Sequence, residues 1–370
     1  MRTYIWTLPT RIFHWMLVLY ILFMFITSEE ENLLDYHAAF GYGVMILILF
    51  RLLWGVMGPR YSRFSQWPLS LKEAIGFMRS LPNPQKYYPG HNPAASFVML
   101  GIILVILLSV LSGVFTYGIQ EGRGLFSWLN STFFKEMELF EEIHEFFSTL
   151  LLLLITAHLG GVAADRIMHK ESGTLYSIFG GYKQIDAPPA KLTGVQKAVA
   201  WFFLLSALVV PFYLLLSDTP LTQSRYSAVH YEKEHQLFVE ECASCHTLYA
   251  PYLLPKRSWK KLMANLADHF GDDASLDETD RRSVEAYLLE NSAESSTKEA
   301  AHYILNSVKN IKKDIIAISE SPYWRDKHAS LDKALFDSPK VKSKANCKAC
   351  HRRFENGIIE DALISLPKGV

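Results

Sequence analysis

The sequence predicts an all-α protein: a transmembrane helical bundle, with a four-helix core and a fifth helix added, followed by a mostly helical extramembrane domain. Three observations carry this expectation. Five apolar runs, at 12–27, 38–57, 94–117, 146–164 and 195–217, approach or reach the roughly 20 residues that cross a hydrocarbon core of about 30 Å. Charge is unevenly spread, with 15 basic and 15 acidic side chains in the first 220 residues and 22 of each in the last 150. All four cysteines fall in that second part, in two copies of one pentapeptide, Cys242-Ala243-Ser244-Cys245-His246 and Cys347-Lys348-Ala349-Cys350-His351. A purely cytosolic enzyme and a disordered chain are both excluded. The balance of 37 basic and 37 acidic residues, without a basic run interleaved with aromatics, leaves no electrostatic footprint for nucleic acid.

The first run is short and lies behind Arg2 and Arg11, as in a signal peptide. The stretch Thr27-Ser28-Glu29-Glu30-Glu31 offers no small-residue cleavage site, so the helix is expected to be retained. Pro211 should kink the fifth helix, which a packed bundle tolerates. Segments 58–93 and 165–194, rich in Gly, Pro and aromatics, read as surface segments. Orientation follows from Lys and Arg at alternate ends: thirteen on the side of the N-terminus, from Arg2 through Lys86 and Lys197, against Arg123 and Lys135 on the other. The positive-inside rule then places the N-terminus in the cytoplasm of a bacterial inner-membrane, multi-pass protein and residues 218–370 in the periplasm.

Cys-x-x-Cys-His is the attachment motif of c-type haem: both thiols become thioethers and the His ligates iron. Zinc is the rival, but a gap of more than 100 residues between the pairs and a His after each second Cys do not suit it. Cys242, Cys245, Cys347 and Cys350 are thus expected to bind haem c covalently, with His246 and His351 as proximal ligands. A sixth ligand is then needed. Met263 shares an apparent helical stripe with Trp259, Leu262, Leu266 and Phe270 and reads as core. His269 lies on that stripe, and His328 follows Trp324 by four residues, so both are candidates for an inward-facing imidazole. His302 reads as a surface residue; His230 and His235 are open.

The run Glu240 to Pro255, then Ser258-Trp259, Leu266 to Gly271, Trp324 to His328 and Val341 to His351, resembles the dihaem cytochrome c family over about residues 230–368. That resemblance implies two bis-His haems, with His269 and His328 as the distal ligands, without saying which serves which.

An ionisable residue inside a bilayer is costly and marks function by default. His14 lies on the first helix, His37 opens the second, and His144 and His158 bracket the fourth. The 14 residues between His144 and His158 return to nearly one helical face with a rise of about 21 Å. One helix can thus serve two cofactors. By depth the four pair as His14 with His158, on the cytoplasmic side, and His37 with His144, on the periplasmic side, each pair a clamp for one haem b.

The segments Arg11 to Trp15, His37 with Gly41-Tyr42, Arg51 to Gly55, Tyr61 to Phe64, Gly90 to Pro93, Asp165-Arg166 and Gly180 to Lys183 resemble the bacterial cytochrome b561 group over about residues 1–190. Among its members the b-type subunits of nickel-iron hydrogenases look most similar. The resemblance implies four helices holding two b haems through His14, His37, His144 and His158. His91 and His169 are then left over as solvent-facing or structural, and Arg11 and Arg51 either pair with haem propionates or anchor the membrane face.

The organisation expected is 1–190, a di-haem b membrane domain; 191–225, a fifth helix and linker; and 226–370, a dihaem c domain. The cofactors are two haem b and two haem c, with quinone as a substrate. Electrons would move between the quinone pool and a small periplasmic c-type cytochrome. Two alternatives are a superoxide:quinone oxidoreductase at the outer haem, which the acidic outer loops disfavour for an anionic substrate, and a cytochrome b anchor for a hydrogenase or dehydrogenase subunit. A homo-oligomer is a further possible assembly. No nucleophile–base pair, phosphate loop or hydrolytic carboxylate pair is visible, so no catalytic residue is assigned.

Overall fold

The computed structural model describes residues 2–28, 33–80, 88–136, 138–168, 173–360 and 363–367. His169 and the charged residues Glu29, Glu30, Glu31, Lys86 and Lys170 lie outside them. The chain divides into two compact units, one of residues 1–117 and 138–223, the other of residues 118–137 and 224–370.

The first unit opens with a short strand β1 (Arg2–Tyr4) and continues through α1 (Leu8–Thr27), α2 (Leu34–Met57), the short amphipathic α3 (Leu71–Arg79) and α4 (Pro93–Ile119). After a small α5 (Thr132–Glu136), which belongs to the second unit, the first unit resumes with α6 (Leu139–Met168), α7 (Thr174–Gly180), the strand β2 (Tyr182–Gln184) and α8 (Gly194–Leu216). The five long helices α1, α2, α4, α6 and α8 are each long and apolar enough to cross a membrane. The fourth apolar run becomes a helix that starts seven residues earlier than the run itself, because Glu141 and Glu142 fit its first turn beside the positive end of the helix dipole. α2 is central: Leu47, Ile48, Phe50 and Trp54 are buried against Phe13 of α1, Ile106 of α4 and Leu204 and Ala207 of α8. Leu152, Leu153 and Leu159 on α6 and Phe202, Leu205 and Val209 on α8 face outward, as lipid contact requires.

Pro211 sits inside α8, where its missing N–H frees the carbonyl one turn back. That carbonyl, on Ala207, accepts a 2.9 Å hydrogen bond from the Tyr20 hydroxyl. Gly43 makes the approach possible, since a Cβ there would lie 2.9 Å from the Pro211 ring. A Thr193–Gln196 capping box starts α8, and the Gln196 amide donates to the Met57 carbonyl at the end of α2.

The described parts of segments 58–93 and 165–194 fold onto the N-terminus. β1 pairs antiparallel with β2, Ala190 N donates to the Tyr4 carbonyl, and the Tyr61 hydroxyl donates to Pro188. The Lys183 ammonium donates to the Gly90 carbonyl at 3.0 Å.

The second unit is built from short helices: α9 (Tyr231–Glu234), α10 (Gln236–Cys242), α11 (Lys256–Met263), α12 (Glu278–Glu290), α13 (Glu299–Val308), α14 (Pro322–Lys327) and α15 (Lys333–Asp337). Phe238, Trp259, Met263, Val284, Leu288, Ile304 and Phe354 form its core, so Met263 is the packing residue its spacing indicates. The expected stripe fails beyond it. α11 ends at Met263, a 3-10 turn covers Leu266–Asp268, and Phe270 takes φ +57° before Gly271 at φ +98°. Phe270 is therefore 61% exposed instead of lying with Trp259.

The α4–α6 connection belongs to this second unit. Arg123 meets Glu360 at 2.7 Å, the Tyr226 hydroxyl bonds Asn130 and Thr297, and Lys135, itself buried, donates to the Thr297 carbonyl. The Arg123 and Glu360 side chains are only 15% and 30% exposed, so charge reversal leaves two like charges half-buried. We expect Arg123→Glu to destabilise the second unit by about 1–3 kcal/mol, with part of the loss recovered in Arg123→Glu/Glu360→Arg, read as chemical denaturation followed by tryptophan fluorescence.

Candidate functional site

Two imidazoles on one iron hold it at about 2 Å each, which puts their ring centroids about 6 Å apart. The structure brings six of the eight predicted histidines to this spacing. His37 and His144 stand 6.3 Å apart, His246 and His269 6.0 Å, and His328 and His351 6.2 Å. His14 and His158 are close enough to interact electrostatically.

The supporting contacts fit the same chemistry. A ligating His ties off one ring nitrogen so that the other is free for metal. His144 donates from Nδ1 to the Ser109 carbonyl at 2.9 Å, His328 to the Trp324 carbonyl at 2.8 Å and His246 to the Thr247 carbonyl at 2.7 Å. His37 Nδ1 bonds Thr27 Oγ1 at 3.1 Å. Nδ1 of His14 and of His351 is buried without a partner. Three pairs thus fit a bis-imidazole iron by spacing, and His144, His328 and His246 also by tautomer.

Each pair is placed by local folding. His37 lies in the first turn of α2 and His144 in the second turn of α6, so both point into the same end of the bundle. Gly113 of α4 gives His144 its room: a Cβ there would lie 2.9 Å from the imidazole. We expect Gly113→Val to displace that ring and shift the visible spectrum and midpoint potential of one haem b, leaving haem c bands unchanged in a spectroelectrochemical titration. In the second unit, His328 is the C-cap of α14, and Trp324 stacks on its ring at 4.3 Å, as the four-residue spacing predicts. His269 is held by a two-way backbone bridge with Asp272, not by a continuing helix.

The two pairs of the second unit are linked by aromatic contacts that the sequence did not reveal. Tyr249 lies 5.4 Å from the His246 ring and 5.5 Å from Phe354, which lies 6.3 Å from the His351 ring. The Tyr249 hydroxyl donates to the Ala345 carbonyl at 2.6 Å. The small-residue stripe Ser109, Ser112 and Gly113, in an otherwise apolar run, is a signal that would have marked the His144 seat.

Other histidines are accounted for. His91 is structural and not solvent-facing: its ring lies 5.0 Å from Trp6 and 4.7 Å from Trp67. Burial, with the Arg51 and Lys183 cations and His158 nearby, pushes it down to about 3, so it is neutral at physiological pH. Burial pushes the Lys183 ammonium down to about 8, against the opposing pull of Asp165. His235 caps α10 by accepting from Phe238 N, His302 bonds Asn306 on the surface, and His230 is exposed. Arg51 lies over the Phe64 and Trp67 rings at 4.7 and 5.0 Å and donates to the Ser62 carbonyl, which accounts for its burial without a propionate. Arg11 donates to the Phe179 carbonyl, and its Nε is buried without a partner.

Five membrane-length helices, imidazoles at iron-clamp spacing and two thioether motifs define a membrane-integral, haem-carrying electron-transfer protein. Residues 5–181 match the family model for prokaryotic cytochrome b561, and residues 238–358 that for dihaem cytochrome c. The chain thus joins a region that matches prokaryotic cytochrome b561 to one that belongs with the dihaem cytochromes c, and these matches support haem b and haem c as its cofactors. A probable Ni/Fe-hydrogenase B-type cytochrome subunit of Bradyrhizobium diazoefficiens is 23% identical over 214 residues, covering 49% of this chain and 85% of that one. A probable Ni/Fe-hydrogenase 1 B-type cytochrome subunit of Escherichia coli (strain K12) is 25% identical over 150 residues, 34% of this chain and 64% of that one. A solved diheme cytochrome c from Rhodobacter sphaeroides is 38% identical, covers 36% of this chain and 100% of its own, and superposes with a TM-score of 0.31.

Proposed function

We propose that the chain carries single electrons between the membrane quinone pool and a periplasmic c-type cytochrome. His14 with His158 and His37 with His144 hold two b haems. Cys242, Cys245, His246 and His269 hold one c haem, and Cys347, Cys350, His351 and His328 the other. Held by these residues, haem would supply a one-electron couple. The protein's part is to fix the rings, keep each ligand tautomer and exclude water from the bundle. The observation that carries the reading is the recurrence of one ring spacing, 6.0–6.3 Å, at three separate places in the chain.

The orientation has structural support. The N-terminus and the described parts of the α2–α4 and α6–α8 connections fold together, as segments on one membrane face do. The α4–α6 connection folds instead with residues 224–370, so it shares their side. With the basic residues concentrated at the first face, that face is cytoplasmic and the second unit periplasmic.

Purified full-length protein mixed anaerobically with a quinol analogue tests the conduit. The b bands should reduce first and the c bands follow; reduction of b without c contradicts it. The similarity to hydrogenase cytochrome subunits favours a second reading, a membrane anchor for a hydrogenase or other dehydrogenase. Under that reading, mild solubilisation of native membranes would bring a large catalytic subunit along with this chain.

A further inference from the structure

The structure decides which histidines share a site, and this sorts the surface charge of the second unit. His246 and His269 are brought together, so the segments around both surround one site. Glu240, Glu241, Asp268, Asp272 and Asp273 are all exposed there, and no Lys or Arg lies between Met263 and Asp280. His328 and His351 form the other site. Around it Lys340, Lys342, Lys344, Lys348, Arg352 and Arg353 are all exposed, and no carboxylate lies between Asp337 and Glu355. Arg325 and Lys327 flank His328 as well. Counter-charges are present: Glu355 meets Lys348 at 3.0 Å, Glu299 meets Lys327 at 3.9 Å, and Asp326, Asp332 and Asp337 lie near His328. They do not outnumber the cations.

We propose that the basic rim at His328 and His351 is the docking face for a soluble electron-transfer protein whose cofactor edge is ringed by carboxylates. Such a partner is drawn to this rim and repelled by the acidic rim of the other site, so charge selects where the electron leaves. By Coulomb's law a positive surround also favours the reduced iron, so this site is the one of higher potential and the exit. The inference rests on the reading of the two pairs as haem ligands.

The test uses the full chain, reduced with dithionite and freed of excess, so that it does not depend on quinol. One electron passes from the chain to hexacyanoferrate(III), giving hexacyanoferrate(II), with no proton transferred; tris(phenanthroline)cobalt(III) accepts one electron likewise. In Lys342→Glu/Lys344→Glu/Lys348→Glu, all surface positions, oxidation by the anion should slow about tenfold at low salt and oxidation by the cation should not slow. Salt should shrink the difference, since the screening length is about 10 Å at 0.1 M. Binding of poly-L-glutamate should be lost in the variant, and the higher c-haem potential should fall. Equal effects on both probes, or unchanged poly-L-glutamate binding, would overturn the proposal. If covalent haem is missing at Cys347 in the unaltered chain, the haem reading itself fails, which a haemochrome spectrum shows before any kinetics.

Discussion

A His144→Ala chain should purify with one extractable haem where the unaltered chain should carry two, and with both expected covalent haems in place. His144 is turned toward His37 by its bond to the Ser109 carbonyl, and His37 faces it at 6.3 Å. Removing one ring of such a clamp leaves a one-sided iron site between apolar helices, with no other imidazole at that end of α6. The bundle itself should persist, since the apolar contacts of α1, α2 and α8 do not involve His144. His158→Ala should remove the other extractable haem, and the double variant both. The measurement is a pyridine haemochrome spectrum taken before and after acid-acetone extraction, and full retention of extractable haem in either variant would refute the pairing by depth.

Phe354→Ala should destabilise the second unit by about 3–5 kcal/mol, the range for removing a buried aromatic ring. Phe354 is only 4% exposed and packs between Tyr249 and the His351 ring. Its loss opens a cavity where the two c sites meet, so both c-haem spectra should change together. Phe270→Ala should cost less than about 0.5 kcal/mol, because that ring is already in solvent. Thermal unfolding monitored at the haem c bands separates the two; similar losses in both variants would mean that Phe354 does not join the sites.

What could be read from the sequence was local. The five spans follow from uninterrupted apolar length, and the two thioether motifs from five adjacent residues. The placing of His328 beside Trp324 follows from helical spacing within a single turn. What could not be read depended on chain reversal or on distant partners. Phe270 and His269 fit a stripe only if α11 continued, and the turn at Leu266–Asp268 with positive φ at Phe270 and Gly271 ends that regularity. The Tyr249–Phe354 contact joins residues more than 100 positions apart, and nothing in either neighbourhood signals the other. His91 looked like a loop residue and is instead wedged between Trp6 and Trp67, which come from separate segments. The α4–α6 connection falls within the 1–190 stretch expected to be the membrane domain, yet it folds with the second unit, where Arg123 pairs with Glu360.

The pairings also explain why so many side chains around the histidines are small or hydroxylated. Thr27, Ser109, Ser112 and Gly113 hold or clear space for the His37 and His144 rings. In an apolar bundle those residues contribute little packing, and their role is to fix ring orientation.

The central claim is that four pairs of imidazoles each clamp one iron. Haem counting on the unaltered protein, combined with low-temperature electron paramagnetic resonance of the oxidised form, tests it most directly. Two extractable and two covalent haems per chain, all low-spin as two imidazole ligands demand, are predicted. A single extractable haem, or a high-spin signal from any of the four, would contradict it.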